Sequence, residues 1–183
     1  MGADIMIDYK RKVVFIHIPR TGGSSIEQGF GLAKEAREIH HYRADQIEAM
    51  VKNPSDYYWF SFVRNPWDRV ISAFHQPGNK KINSRTGKSL EYFLQNWDGS
   101  SASHEYSRTQ NGYLNRYVNV FKFENRKSAL KMLGDRFGVD LLKHHIRASK
   151  RNPDYKFYYN EQTRRTVAAL FNEDIELFNY RYE

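Results

Sequence analysis

Two short stretches combine cations, hydroxyls and backbone freedom in the way anion binding requires. The first is Pro19-Arg20-Thr21-Gly22-Gly23-Ser24-Ser25, which follows the β-branched run Val13 to Ile18. Glycines let a backbone approach an anion closely. A helix starting near Ser24 or Ser25, both good N-caps, adds N–H groups and a positive dipole end. Arg20 and the hydroxyls of Thr21, Ser24 and Ser25 add further donors. The plainer alternative is an ordinary Gly-Ser turn. The stretch does not fit G-x-x-x-x-G-K-[ST], because no glycine precedes Gly22 at the needed distance. No acidic partner for magnesium is evident either, which disfavours a kinase or NTPase.

The second stretch is Arg64-Asn65-Pro66-Trp67-Asp68-Arg69-Val70-Ile71-Ser72. It follows an apolar run, Tyr57 to Val63, that reads as a strand. Arg64 therefore sits at a carboxyl end, where open α/β sheets bind ligands. Ser72 lies roughly 140–200° around the helix from Trp67 and Val70, at 3.6 residues per turn, and faces away from their stripe. Arg64 and Ser72 could converge on one phosphate, the guanidinium giving a bidentate contact. Arg64 could equally pair with a local carboxylate such as Asp68.

The elements that must position these residues are legible from pattern. Val13 to Ile18 reads as a buried strand ended by Pro19, with a helix after the Gly-Ser turn that Gly29 and Gly31 weaken. Asp45 to Lys52 reads as a short helix and Asn53 to Asp56 as a break. Asn65 caps a helix with Pro66 at its first position. Trp67, Val70, Ile71 and Phe74 form its buried stripe. Ser89 caps a helix to about Trp97, and Tyr117 to Phe123 is a third strand. Lys127 to Phe137 and Glu161 to Phe171 are helical. This order predicts an α/β fold, a parallel sheet with helices on both faces, in one domain over 1–183.

Composition bounds the partners. The chain has 183 residues, with 29 basic and 21 acidic side chains, giving a formal charge of +8. A basic balance suits an anionic partner, whether nucleic acid, polyanionic sugar or nucleotide. There are no cysteines, so disulfides, thiolate metal sites and cysteine nucleophiles are excluded. No apolar run approaches a membrane span and no signal peptide is visible, so a soluble, cytoplasmic protein is expected. The seven histidines form no H-E-x-x-H pattern, and no metal site is expected.

FIHIPRTGGSS followed by FSFVRNPWDRVISAF resembles the sulfotransferase family that includes the heparan and chondroitin 2-O-sulfotransferases and their small bacterial relatives. Phe121-Lys122-Phe123-Glu124 and the tail from Ser149 to Tyr180 are also similar to the family. The resemblance implies a P-loop-like α/β fold without ATP hydrolysis. It implies the cofactor 3′-phosphoadenosine 5′-phosphosulfate (PAPS), with 3′,5′-ADP as product. On this basis Arg20, Thr21, Gly22, Gly23, Ser24 and Ser25 hold the 5′-phosphosulfate, while Arg64 and Ser72 hold the 3′-phosphate. The acceptor would be a hydroxyl, with a sugar as the family-weighted choice.

The family usually has Lys where this chain has Arg20. Arginine keeps the charge stabilisation but cannot act as a general acid. Relatives carry a histidine before a short helix after the first βα unit, which makes His41 the candidate base, with His40 next. His17, inside the first strand, reads as a hydrogen-bonded core residue. Arg147 to Arg151 is a basic run that in relatives approaches the nucleotide; a solvated basic face is the alternative. Lys80, Lys81, Arg85 and Lys88 could attract an anionic saccharide or merely keep a loop soluble. A nucleotide-dependent phosphotransferase and a non-catalytic polyanion-binding module are the competing functions, and stable nucleic-acid binding is not expected.

Overall fold

The computed structural model describes residues 6–32, 41–76, 87–96, 108–143 and 151–183. His40, Lys80, Lys81, Arg85 and the stretch 147–150 lie outside the described residues. The strands are β1 (Ile7–Asp8), β2 (Val13–Ile16), β3 (Tyr58–Val63) and β4 (Val118–Lys122). The α-helices among the described residues are α1 (Gly23–Phe30), α2 (Ala44–Glu48), α3 (Pro66–Phe74), α4 (Leu90–Gln95), α5 (Arg126–Phe137), α6 (Glu161–Leu170) and α7 (Asn172–Leu177). The chain divides into two compact units, 1–63 with 112–147, and 64–111 with 148–183.

The first unit holds a four-stranded sheet in the order β1-β2-β3-β4. β2, β3 and β4 run parallel, pairing Phe15 with Phe60 and Ser61 with Val120. β1 departs from the all-parallel expectation by pairing antiparallel with β2, Ile7 against Val14. It can do so because only a short turn separates it from β2, whereas parallel neighbours need a long crossover. β3 is buried along nearly its whole length, as strands covered on both faces are. Phe60 and Phe62 pack with Val13, Phe15, Ile26, Phe30, Leu130 and Leu133. Ser61, polar in this strand, is accommodated because its hydroxyl donates to the Ile16 carbonyl at 2.7 Å.

The second unit is helical. Asn65 caps α3, its side-chain oxygen accepting from the Trp67 N–H at 3.1 Å, and Pro66 occupies the first turn. Trp67, Val70, Ile71 and Phe74 join Leu90, Phe93 and Leu94 of α4 and Val167 and Phe171 in one core. The Trp67 indole N–H donates to the Arg164 carbonyl at 3.0 Å, and the Tyr159 hydroxyl donates to the Trp67 carbonyl at 2.9 Å. Burial pushes the Tyr159 phenol well above its usual range, so it stays a proton donor.

Phe93 is fully enclosed in this core, whereas Phe157 is 73% exposed. Phe93→Ala should destabilise the protein by about 3–5 kcal/mol. Phe157→Ala should stay within about 0.5 kcal/mol of the parent. Urea unfolding midpoints measure both.

Candidate functional site

The first motif builds a tight turn between β2 and α1. Arg20 has φ +70° and Gly22 φ +81°, with Thr21 between them. A non-glycine residue in the left-handed region is uncommon, and such strain gathers at ligand clamps. A turn whose successive N–H groups alternate between right- and left-handed conformations can form a concave nest for anions. Contrary to the sequence expectation, neither Ser24 nor Ser25 caps α1. The N-cap is Gly22, and the helix begins at Gly23. The left-handed turn at Gly22 brings the chain into the helix one to two residues early, placing both serines within the first turn. Gly22 carries no side chain to cap the helix.

Thr21 is buried, and its hydroxyl donates to the Ile18 carbonyl at 2.8 Å, so its proton holds the loop to the end of the strand. Arg20 and Ser24 are partly exposed, while Ser25 is buried. The two glycines are needed for different reasons. At Gly22 a Cβ would lie 2.8 Å from Nη1 of Arg126, besides demanding a strained φ. At Gly23 a Cβ would overlap the His17 ring. Arg126 was not singled out from the sequence. Its guanidinium stacks over Phe123, 5.0 Å from the ring centroid, and so brings a second cation to the turn.

His17 is indeed a hydrogen-bonded interior residue. Its Nδ1 lies 2.7 Å from a Glu27 carboxylate oxygen, and both residues are buried. His41 lies against it, the ring centroids 4.8 Å apart and the planes at 65°.

The second motif places Arg64 immediately after β3. Here the local pairing that the sequence left open is present. Arg64 Nε donates to Asp68 at 2.7 Å, and Nη2 lies 2.7 Å from the same oxygen. The other Asp68 oxygen accepts from Arg151. One carboxylate therefore holds two largely buried guanidinium groups, and the three charges sum to +1. Asp68 and Ser72 are four apart on α3, hence on one helix face. Ser72 was expected to turn away from the core, yet it is buried, because α3 is enclosed nearly all round.

Beneath Arg64 lies a clamp that no short motif revealed. The Gln110 side-chain oxygen accepts from the Arg64 N–H at 2.8 Å, and its amide donates to the Arg64 carbonyl at 2.9 Å. Asp174 accepts from the backbone N–H groups of Gln110 and Asn111 at 2.7 and 2.9 Å. Both side chains are fully buried. The residues are 46 and 64 positions apart in sequence, so only the fold brings them together. Among the described residues no group of three or more His, Cys, Asp and Glu is placed to hold a metal ion. No helix among them is long and apolar enough to cross a membrane.

Burial raises the Asp174 carboxyl above its ordinary value of 3.8, although the two N–H donors oppose the shift. The folded protein thus retains this proton to higher pH than the unfolded chain. Stability from this group is therefore present below 3.8 and falls as pH rises through the raised value. Against Asp174→Asn, the stability difference should shift toward the variant as pH rises through that window, as urea midpoints at a series of pH values would show. Gln110→Ala should cost about 1–3 kcal/mol, since it strands buried backbone groups at Arg64.

The chain matches a mouse sulfotransferase, SULT7A1, solved in complex with PAP, with a TM-score of 0.55 and 14% sequence identity. The match covers 92% of this chain and 86% of that one, and it establishes a shared sulfotransferase-like α/β fold. No curated protein sequence matches. The sequence profile of the Sulfotransferase family matches residues 3–113, which is more than half of the chain and includes both motifs. The chain belongs to the sulfotransferase family.

Proposed function

We propose that residues 1–183 act as one sulfotransferase domain that uses PAPS to sulfate a hydroxyl of a carbohydrate, as the heparan and chondroitin 2-O-sulfotransferases do. The observation that carries this reading is the turn at Arg20–Gly23, left-handed at Arg20 and Gly22 and bordered by Arg20 and Arg126. The residues fit a phosphosulfate, since the turn combines a backbone suited to anions with two cations and a partly exposed serine. PAPS supplies an activated sulfuryl group, whose bond to the 5′-phosphate breaks as the acceptor oxygen takes it.

In this reading Arg20 neutralises charge at the turn, and Thr21, Gly22, Gly23, Ser24 and Ser25 shape the 5′-anion cradle. Arg64 and Ser72 recognise the 3′-phosphate, with Asp68 orienting the Arg64 guanidinium before the nucleotide arrives. Such prior orientation lowers the entropy lost on binding. Arg151, sharing Asp68, extends the same cationic cluster. His41 takes the acceptor proton as the oxygen attacks, a task imidazole performs near neutral pH. The mouse enzyme's complex with PAP supports the choice of nucleotide.

Labelled PAPS offered with desulfated heparan, desulfated chondroitin, small-molecule alcohols and tyrosine peptides tests the reaction and the acceptor class together. Label on a saccharide is the expected result; label on a tyrosine peptide alone would refute the carbohydrate assignment. Arg64→Ala should weaken 3′,5′-ADP binding far more than 5′-AMP binding, and equal losses would refute the 3′-phosphate role. Arg20→Lys should keep substantial turnover, whereas Arg20→Ala should lose most of it. His41→Ala should lower turnover about 10²–10⁴-fold with little change in 3′,5′-ADP affinity.

A further inference from the structure

His17 and Glu27 form a buried polar pair to which the roles above assign nothing. Their side chains are only 7% and 9% exposed, in a unit whose neighbouring positions are Phe15, Ile16, Ile18 and Ile26. Burying an ionisable pair is costly compared with burying two apolar residues, so a pair at this position calls for a reason beyond packing. A carboxylate on Nδ1 also fixes which ring nitrogen carries the proton and sets the plane of the ring.

Three contacts define that plane. Nδ1 meets Glu27 at 2.7 Å. The edge carrying Cδ2 and Nε2 lies over Gly23, the first residue of α1, with no room for a Cβ between them. The His41 ring packs against it in a tilted edge-on contact, with centroids 4.8 Å apart. His17 is thus locked by the helix that starts at the anion turn and touches the residue proposed as base.

We infer that Glu27 and His17 are positioning residues for His41. Glu27 holds His17 with its proton on Nδ1 and its ring seated on Gly23. His17 in turn sets the orientation from which His41 accepts the acceptor's proton. This rests on the reading of His41 as base, and the test separates the two.

The experiment is a double-mutant cycle of Glu27→Gln and His41→Ala, with labelled PAPS and desulfated chondroitin for turnover and calorimetry with 3′,5′-ADP for affinity. Glu27→Gln keeps side-chain size but removes the charge that fixes the tautomer. Alone it should lower kcat about 10- to 100-fold, by analogy with the loss of a carboxylate that orients a metal-bound histidine. Affinity for 3′,5′-ADP should stay within about twofold, and in the His41→Ala background the same change should cost less than about twofold. Equal losses in both backgrounds would overturn the inference while leaving His41 as base. A fall in nucleotide affinity that matches the fall in turnover would also overturn it, since the pair would then be bracing the turn. Normal turnover in His41→Ala would remove the base itself. Nitrogen-15 spectra of the unaltered protein give an independent check that needs no variant and no acceptor: His17 protonated on Nδ1 supports the inference, and His17 protonated only on Nε2 overturns it.

Discussion

The contact on which the first motif depends is the close seat of the His17 ring on Gly23. It joins the end of β2 to the start of α1 at the point where the chain reverses, and no side chain fits between them. The left-handed backbone at Arg20, a non-glycine residue, is held because both ends of the turn are fixed. Thr21 ties the loop to the Ile18 carbonyl, and Glu27 holds the imidazole from within α1. A loop fixed in this way is held in shape by its own side chains, the kind of preorganisation that the proposed role requires.

The second motif is organised by a different device. Arg64 is held through its backbone by Gln110, which is held in turn by Asp174, while Asp68 directs its guanidinium. A long cation is usually a poor specificity element because so many rotamers must be frozen. Here backbone and head group are both anchored. The shared carboxylate also lets Arg64 and Arg151 lie near each other without net repulsion.

Much of this was legible in the sequence, and the exceptions have physical causes. The stripe of α3 was readable because Trp67, Val70, Ile71 and Phe74 repeat at helical spacing, and its cap because Asn65-Pro66 is a local signal. β1 was not readable, since a two-residue strand has no periodicity. α7, six residues long, was not read from the sequence, whose last predicted helix ends at Phe171. Serine is the commoner cap, so the sequence points to a helix start at Ser24 or Ser25, whereas the turn uses the freedom of Gly22. Ser72 was assigned to an outer face from its angle alone, and angle says nothing about how much of a short helix becomes enclosed. Arg126, Gln110 and Asp174 gave no short-range signal, because their partners are brought to them by the fold. The Asp68 pairing was visible as one of two alternatives, and spacing by itself could not choose between them.

Use of PAPS requires that the protein accept a 3′-phosphate together with a 5′-anion in preference to a triphosphate with magnesium. Calorimetric titration of the unaltered protein with 3′,5′-ADP, and separately with ATP and magnesium, tests this most directly. Saturable one-site binding of 3′,5′-ADP, at least about tenfold tighter than ATP–magnesium and so worth about 1.4 kcal/mol or more, is the predicted result. Tight binding of ATP–magnesium with no heat from 3′,5′-ADP would contradict it.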